Sequence, residues 1–414
     1  MTVRTTLMKM YYLFSSGFLT IGIPTVRRPR SDMNYLVETV DSLLENMNDD
    51  DKKRVTIIIM AADNNVTYNA DVAEKLFLRY KGHFNSGLIR VIQTNSTMYP
   101  NLDTVKKTYK DDKPRLKWRA KQNIDFAYMM LYSRNISTFY IQIEDDLMTA
   151  TDFVSEIEKF ELEMTKSNPK WFLLEFSHLG FIGKFFHSSD LDFVAKQLLH
   201  RYDDRPCDLQ LGVIRIIKGQ EKPIHSKTSL FQHIGWFSSL EGKVMPLLDD
   251  KFKDKTKMET YFIENALKGD NPPGHVFTNM VAATTLRQPI HAYDGNLSTY
   301  FWATTPKPNQ SFVWVFNKPH NFSRIVSETG SIDTRKDIIG SGEFEYSSGP
   351  TLLTNGVAQC VNKSYKKMTQ YMSGSMDTLA MATQVPTNVR CLRLIIRRRS
   401  KTWLIIRDIQ VFFA

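Results

Sequence analysis

The sequence predicts an α/β chain with a mainly parallel sheet, followed by a C-terminal β-sandwich. Three observations carry this. Strand-like runs alternate with helical ones from Phe18 to about Ser177, the pattern of a sheet covered by helices. The breaker Asn271-Pro-Pro-Gly274 is then followed by short β-rich runs with almost no helical periodicity. A length of 414 residues exceeds one average domain. The expected division is an extension over 1–17, an α/β domain over 18–270 and a β-sandwich over 271–414.

In chain order, Phe18-Leu-Thr-Ile-Gly-Ile-Pro24 reads as the first core strand. Leu36, Val40, Leu43, Leu44 and Met47 keep the spacing of an amphipathic helix, with Ser31 or Asp32 as N-cap. Asp49-Asp-Asp-Lys-Lys-Arg54 reads as a solvated turn. Val55-Thr-Ile-Ile-Ile-Met60 is a continuous run of the kind found in strands buried on both faces. Leu88 to Ile92 is a further strand, and Trp118 to Met130 a helix. Thr138 to Ile143 is a strand that stops at Glu144-Asp145-Asp146, and Lys170 to Phe176 repeats the strand signal. In the last third, Phe312 to Phe316, Cys391 to Ile396, Trp403 to Ile406 and Ile409 to Phe413 read as strands. Arg397-Arg-Arg-Ser-Lys401 reads as a hairpin loop between two of them.

The formal charge of +10, from 54 Lys+Arg against 44 Asp+Glu, suits an anionic partner. The basic residues are scattered and form no recognition motif, so no nucleic-acid partner is expected. Cys207, Cys360 and Cys391 are too few for a metal cluster or a dense disulfide framework. A Cys360–Cys391 pair with one free thiol and three reduced thiols both fit. Seven N-x-S/T sequons begin at Asn65, Asn95, Asn135, Asn296, Asn309, Asn321 and Asn362. Roughly three would arise by chance, so the excess points to a luminal or secreted protein. Residues 8–23 are apolar but are interrupted by Lys9, Ser15 and Ser16 and are too short to span a bilayer. No membrane anchor is expected in this chain.

The sharpest chemical feature is Glu144-Asp145-Asp146 at the carboxyl end of a buried strand, where open α/β sheets collect ligands. Acid triplets are also common in solvated loops; the preceding strand is what separates the two readings. Clustered carboxylates repel unless a cation sits among them, and oxygen ligands suit Mg²⁺ or Mn²⁺ held jointly with a diphosphate. His233, in Phe231-Gln-His-Ile-Gly235, is a candidate third ligand, although a lone histidine beside apolar residues is commonly structural. Arg119 and Lys121 are candidate phosphate or base contacts, or solvent-facing helix residues. Glu175 lies inside Phe172-Leu-Leu-Glu-Phe-Ser177. A charge in a buried strand either pairs internally or protrudes into a site as a general base.

Five blocks carry a resemblance: Leu19-Thr-Ile-Gly-Ile-Pro-Thr-Val-Arg-Arg28, Trp118-Arg-Ala-Lys-Gln-Asn123, Tyr140-Ile-Gln-Ile-Glu-Asp-Asp146, Leu174-Glu-Phe-Ser-His-Leu-Gly-Phe-Ile-Gly-Lys184 and Ser229-Leu-Phe-Gln-His-Ile-Gly235. In this order they resemble the N-acetylglucosaminyltransferase IV family, the alpha-1,3-mannosyl-glycoprotein 4-beta-N-acetylglucosaminyltransferases. The resemblance implies a GT-A type Rossmann-like catalytic domain, UDP-GlcNAc as donor and Mn²⁺ as cofactor. It also implies inverting transfer to the 4-OH of the α1,3-arm mannose of an N-glycan. Asp146 would bind metal or diphosphate with Asp145 beside it, and His233 would sit near the diphosphate as a further ligand. Thr25, Arg27, Arg119 and Gln122 would line the nucleotide, and Glu175 would be the base. The C-terminal sandwich resembles the family's lectin-like domain, in which Phe301, Trp302 or Trp314 would stack on a sugar or serve as core. Golgi residence follows by resemblance, but the family's cytoplasmic tail, anchor and stem have no counterpart before residue 18. The alternative is a catalytically inactive homologue that binds and regulates other Golgi glycosyltransferases.

Overall fold

The computed structural model describes residues 17–28, 35–94, 96–106, 111–235, 238–240, 248–264, 268–296, 299–330, 337–349, 351–354, 357–371, 374–379, 381, 383–399 and 402–414. Ser31, Asp32 and Asn95 lie outside them. Two compact units emerge: Met1–Arg27, Asn34–His233 and Asp249–Lys253 form the first, while Arg28–Met33, Ile234–Leu248 and Asp254–Ala414 form the second.

The first unit contains β1 (Gly17–Thr25), α1 (Tyr35–Glu45), α2 (Asp49–Arg54), β2 (Val55–Ala61), α3 (Val66–Arg79), α4 (Lys81–Asn85), β3 (Ile89–Gln93), α5 (Lys113–Ser133), β4 (Ser137–Gln142), β5 (Leu147–Thr149), α6 (Phe153–Ser167), β6 (Leu174–Glu175), β7 (Lys184–His187), α7 (Leu191–His200), α8 (Cys207–Ile217), β8 (Ile224–His225) and β9 (Phe231–His233). Seven strands form one sheet in the order β3-β2-β1-β4-β7-β6-β8. β1 to β4 are parallel. β7 runs against both β4 and β6, and β8 runs with β6. Six of the seven strands therefore end at the same edge. The chain builds outward from β1 to β3 and then returns to place β4 on the other side of β1. Strand order thus reverses between β1 and β4, the place where ligands bind in such sheets.

Burial explains the β-branched run: Ile57, Ile58 and Ile59 are all fully buried, so both faces of β2 are covered. Ile58 and Met60 pack with Phe126, Met129 and Met130 of α5. α5 starts at an N-cap where the Asp112 side chain accepts from the Arg115 amide, with Pro114 in its first turn. Gly22 is required where β1 meets β4: a Cβ there would lie 2.2 Å from the Tyr140 hydroxyl. The expected turn at 49–54 is instead the short helix α2. Asn48 caps it by accepting from the amides of Asp50 and Asp51, and Arg54 pairs with Asp51 and Glu158 at 3.0 and 2.7 Å.

The second unit holds α9 (Lys255–Glu264), β10 (Gly274–Thr278), β11 (Phe301–Ala303), β12 (Ser311–His320), β13 (Phe322–Thr329), β14 (Gly342–Ser347), β15 (Thr351–Thr354), β16 (Val357–Cys360), β17 (Lys366–Gln370), β18 (Ser375–Asp377), β19 (Val389–Ile396) and β20 (Leu404–Phe413). β10-β12-β19-β14-β17 and β11-β20-β13-β18 form two antiparallel sheets. Phe312, Trp314 and Leu394 of the one share a core with Phe301, Ile325 and Ile406 of the other, a β-sandwich. Phe301 and Trp314 are 0% and 1% exposed and belong to that core. Trp302 remains partly exposed and donates its indole N–H to Asp337 at 3.1 Å. The runs expected at 403–406 and 409–413 merge into β20, and β19 and β20 lie in different sheets, so these two strands do not pair as a hairpin; Ser400 and Lys401 between them lie outside the described residues. Cys360 and Cys391 form a disulfide, and Cys207 is a buried free thiol of the first unit. Among the described residues, no helix is long and apolar enough to cross a membrane.

Candidate functional site

The carboxyl ends of β1 and β4 hold a close group of titratable side chains. Thr25, the last residue of β1, donates its hydroxyl to Asp145 Oδ2 at 2.5 Å, with both residues buried. That bond ties the loop after β4 to the neighbouring strand. β5 then pairs antiparallel with β9 so that Leu147 faces His233. The pairing brings His233 Nε2 to 3.1 Å from Asp146 Oδ2. Glu144 completes a group of three, whose ligand atoms all lie within 4.8 Å of one another.

This donor set fits a divalent cation. Two carboxylates supply hard oxygen ligands, the imidazole adds a nitrogen that first-row ions accept, and the few protein ligands leave positions for phosphate oxygens. Asp146 and His233 are 3% and 6% exposed, a setting in which carboxylate charge needs compensation. Sequence reasoning chose Asp146 and His233 as ligands; the geometry adds Glu144.

The group rests on a supporting layer from α1 and the residue that follows it. Thr39 accepts from the Leu147 amide at 2.9 Å, and Ser42 Oγ accepts from the Thr149 amide at 2.9 Å. Asn46 donates to Thr149 Oγ1 at 3.0 Å. These polar residues lie beside the apolar stripe of α1, so one helix buries hydrocarbon and also clamps the ligand-bearing ribbon.

The other expected residues divide. Gln122 accepts a weak 3.6 Å hydrogen bond from the Cys207 thiol. Burial pushes that thiol well up, with the charges of Asp208 and Glu144 adding to the rise, so Gln122, Cys207 and Glu144 share one neighbourhood. Arg27 has an exposed side chain, and its amide donates to Asp63 Oδ2 at 2.9 Å. Arg119 is 1% exposed, with its guanidinium on Asp111 at 2.8 Å and the Asp203 carbonyl at 2.9 Å. It braces α5 against the segment following α7, because a buried guanidinium must spend its donors internally. Lys121 is likewise turned inward, donating to Asp125 at 2.7 Å and to the Ala62 carbonyl.

Glu175 ends β6 at the same sheet edge. Its carboxylate forms an ion pair with Lys184 of β7. The ladder places Gln142 opposite Lys184, Lys184 opposite Glu175 and Glu175 opposite His225, one row across four strands. The loop that follows turns back at Gly180, where a Cβ would sit 3.6 Å from Glu144 Oε1. The loop therefore connects the Glu175 strand end to the acid–imidazole group.

Two residues absent from the sequence-derived site hold this region in place. His225 ends β8, and its ring stacks on His178 with centroids 4.4 Å apart. Asp249, 2% exposed, accepts from Ser229 Oγ at 2.5 Å, Ser177 Oγ at 3.2 Å and the amides of His178 and Lys251, each at 3.0 Å. Burial alone would raise its carboxyl; the Ser229 hydroxyl and the two amides hold it below the usual range. The Asp249 amide donates to Gln232 at 2.8 Å, so one residue, through its carboxylate and its amide together, fastens the loop after Glu175 to the strand carrying His233. Neither residue had a local signal beyond a short strand and a polar dipeptide.

The conserved region of the MGAT4 family matches residues 14–252. An "Alpha-1,3-mannosyl-glycoprotein 4-beta-N-acetylglucosaminyltransferase C" of Macaca fascicularis is 32% identical over 395 residues, covering 95% of this chain and 79% of the relative. An "Alpha-1,6-mannosyl-glycoprotein 4-beta-N-acetylglucosaminyltransferase" of Gallus gallus is 34% identical over 398 residues, covering 96% and 81%. The A form of the α1,3 enzyme from Pongo abelii is 29% identical over 413 residues, covering 95% and 74%. Among solved structures, a chitosan-binding module of a Paenibacillus chitosanase/glucanase aligns over 34% of this chain and 98% of its own, at 12% identity and a TM-score of 0.28.

Proposed function

The chain belongs to the MGAT4 family, and from that premise we propose that it is an inverting, metal-dependent N-acetylglucosaminyltransferase. In this reading UDP-GlcNAc is the donor and the product is a β1,4 linkage on the α1,3-arm mannose of an N-glycan. The observation that supports it most is the group of Glu144, Asp146 and His233 at the point where strand order reverses. The relatives agree in their names on 4-beta-N-acetylglucosaminyl transfer and differ between the α1,3 and α1,6 mannose. The α1,3 assignment follows the C and A forms.

We read the first unit as a GT-A type, Rossmann-like catalytic domain. Asp146 and His233, with Glu144, would hold Mn²⁺. When bound, such an ion neutralises charge that develops on a departing diphosphate. Thr25 fixes Asp145 beside that position, and Gln122 and Arg27 are assigned to the nucleotide. Transfer with inversion also needs a group across the sugar from the leaving diphosphate to take the acceptor's proton. Glu175 and its neighbours stand at the right edge of the sheet for that task. The sandwich is assigned to carbohydrate binding. The disulfide and the sequons support residence in an oxidising lumen, which we take to be the Golgi.

The test is transfer by the purified chain from UDP-GlcNAc to a biantennary N-glycan, with Mn²⁺ or with EDTA. Manganese-dependent product in β1,4 linkage is expected. A folded chain that binds UDP or glycan but yields no product would instead identify a regulatory homologue.

A further inference from the structure

We propose that His225, backed by Glu175, takes the proton from the acceptor hydroxyl. This inference rests on the transferase reading and names the base within it.

The argument begins with Glu175 itself. Its carboxylate is already matched by the ammonium of Lys184, and the two side chains are only 12% and 6% exposed. A proton placed on Glu175 would leave Lys184 as an unpaired buried ammonium, which is strongly unfavourable. A proton placed on His225 does the opposite. His225 Nδ1 lies 4.0 Å from Glu175 Oε2, so protonation creates an imidazolium beside an existing carboxylate.

His225 is also the more accessible group, with 30% of its side chain exposed. Nδ1 is buried and has no hydrogen-bond partner, so the exposed edge of the ring is the one carrying Nε2. The arrangement is an imidazole with one nitrogen 4.0 Å from a carboxylate, beyond hydrogen-bond distance, so Glu175 acts on the ring through its charge. The charged and titratable groups facing the ring are Glu175, His178, Lys184 and Lys251. Burial lowers its pKa, Glu175 opposes that, and His178, Lys184 and Lys251 reinforce it, for a net fall. The imidazole is therefore neutral, and able to accept a proton, at neutral pH.

In the step itself, the acceptor oxygen bonds to the anomeric carbon. The bond from that carbon to the diphosphate oxygen breaks, its electron pair leaving with UDP. The hydroxyl proton moves to His225 Nε2 and from there to water.

The test compares wild type, His225→Gln and Glu175→Gln in transfer from UDP-GlcNAc to a biantennary N-glycan between pH 5 and 8. Nitrogen-detected histidine titrations are run on the wild type and Glu175→Gln. His225→Gln should lower kcat by roughly a hundredfold or more, leave the donor KM within about twofold and abolish the acid limb of the kcat profile. Glu175→Gln should shift that limb, and the His225 titration, to lower pH. A His225→Gln enzyme within about threefold of wild-type kcat overturns the assignment while leaving the transferase reading intact. A His225 titration unmoved by Glu175→Gln overturns the pairing even if His225→Gln fails to fold. A wild-type chain that makes no product overturns the transferase reading and the base together.

Discussion

The Thr25–Asp145 bond offers the cleanest energetic test of the site, because Thr25→Val removes a hydroxyl and keeps the side chain's shape. The bond is 2.5 Å long, and its partners are 4% and 8% exposed. Water cannot readily replace the lost donor. A hydrogen bond to a charged group contributes about 1.5–3 kcal/mol, so a loss of that size is expected in urea unfolding of the first unit. The same change in an Asp145→Ala background should cost less than about 0.5 kcal/mol, which gives a coupling energy near the full value. Because Asp145 adjoins the ligand Asp146, Thr25→Val should also weaken Mn²⁺ binding, measured by calorimetric titration, and by less than loss of Asp146 itself. A single-substitution cost below about 0.5 kcal/mol, or no coupling in the cycle, would refute the view that this bond organises the acid loop.

Two further outcomes concern the second unit. Replacing Cys360 and Cys391 by serine opens a link between residues 31 apart in sequence; loop-closure entropy puts the loss near 3–4 kcal/mol, visible by calorimetry as a lower melting temperature that added reductant does not change further. Burial pushes Asp408 of β20 up to about 7, against 3.8 for an ordinary aspartate, and Glu328 opposite it is raised as well. The folded unit therefore binds protons that the unfolded chain has released, and its stability should fall as pH rises from about 4 to 7, by up to roughly 1.4 kcal/mol per pH unit for Asp408. Asp408→Asn should flatten that slope in denaturant titrations at pH 5, 6 and 7.5.

Features fixed by local pattern were readable in the chain. β1, β2 and β4 announce themselves as apolar runs because both faces are buried, and the acid triplet is visible because it follows one of them directly. His233 was identified from a block that resembles the family's, and its pairing with Asp146 depends on β5 meeting β9 from more than eighty residues away. Features that depend on distant partners were not readable. Arg119 looked like a ligand contact because nothing local shows that Asp111 and the Asp203 carbonyl enclose it. Residues 49–54 looked like a solvated turn, although Asn48 caps them into a helix and Glu158 holds its end. The basic stretch at 397–401 looked like a hairpin because two β-runs flank it; only the pairing of β20 with β11 and β13 shows that the flanking strands belong to different sheets. Asp249 and His225 matter through contacts made by loops and strand ends, which periodicity does not reveal.

The central claim is that Glu144, Asp146 and His233 form a metal–nucleotide site. Calorimetric titration of Mn²⁺ into the purified chain in the presence of UDP, beside folded Asp146→Ala and His233→Ala, tests it most directly. One ion per chain is expected for the wild type, with affinity falling by at least about a hundredfold in both variants. Wild-type affinity retained in either folded variant, or no manganese bound by the wild type, would contradict it.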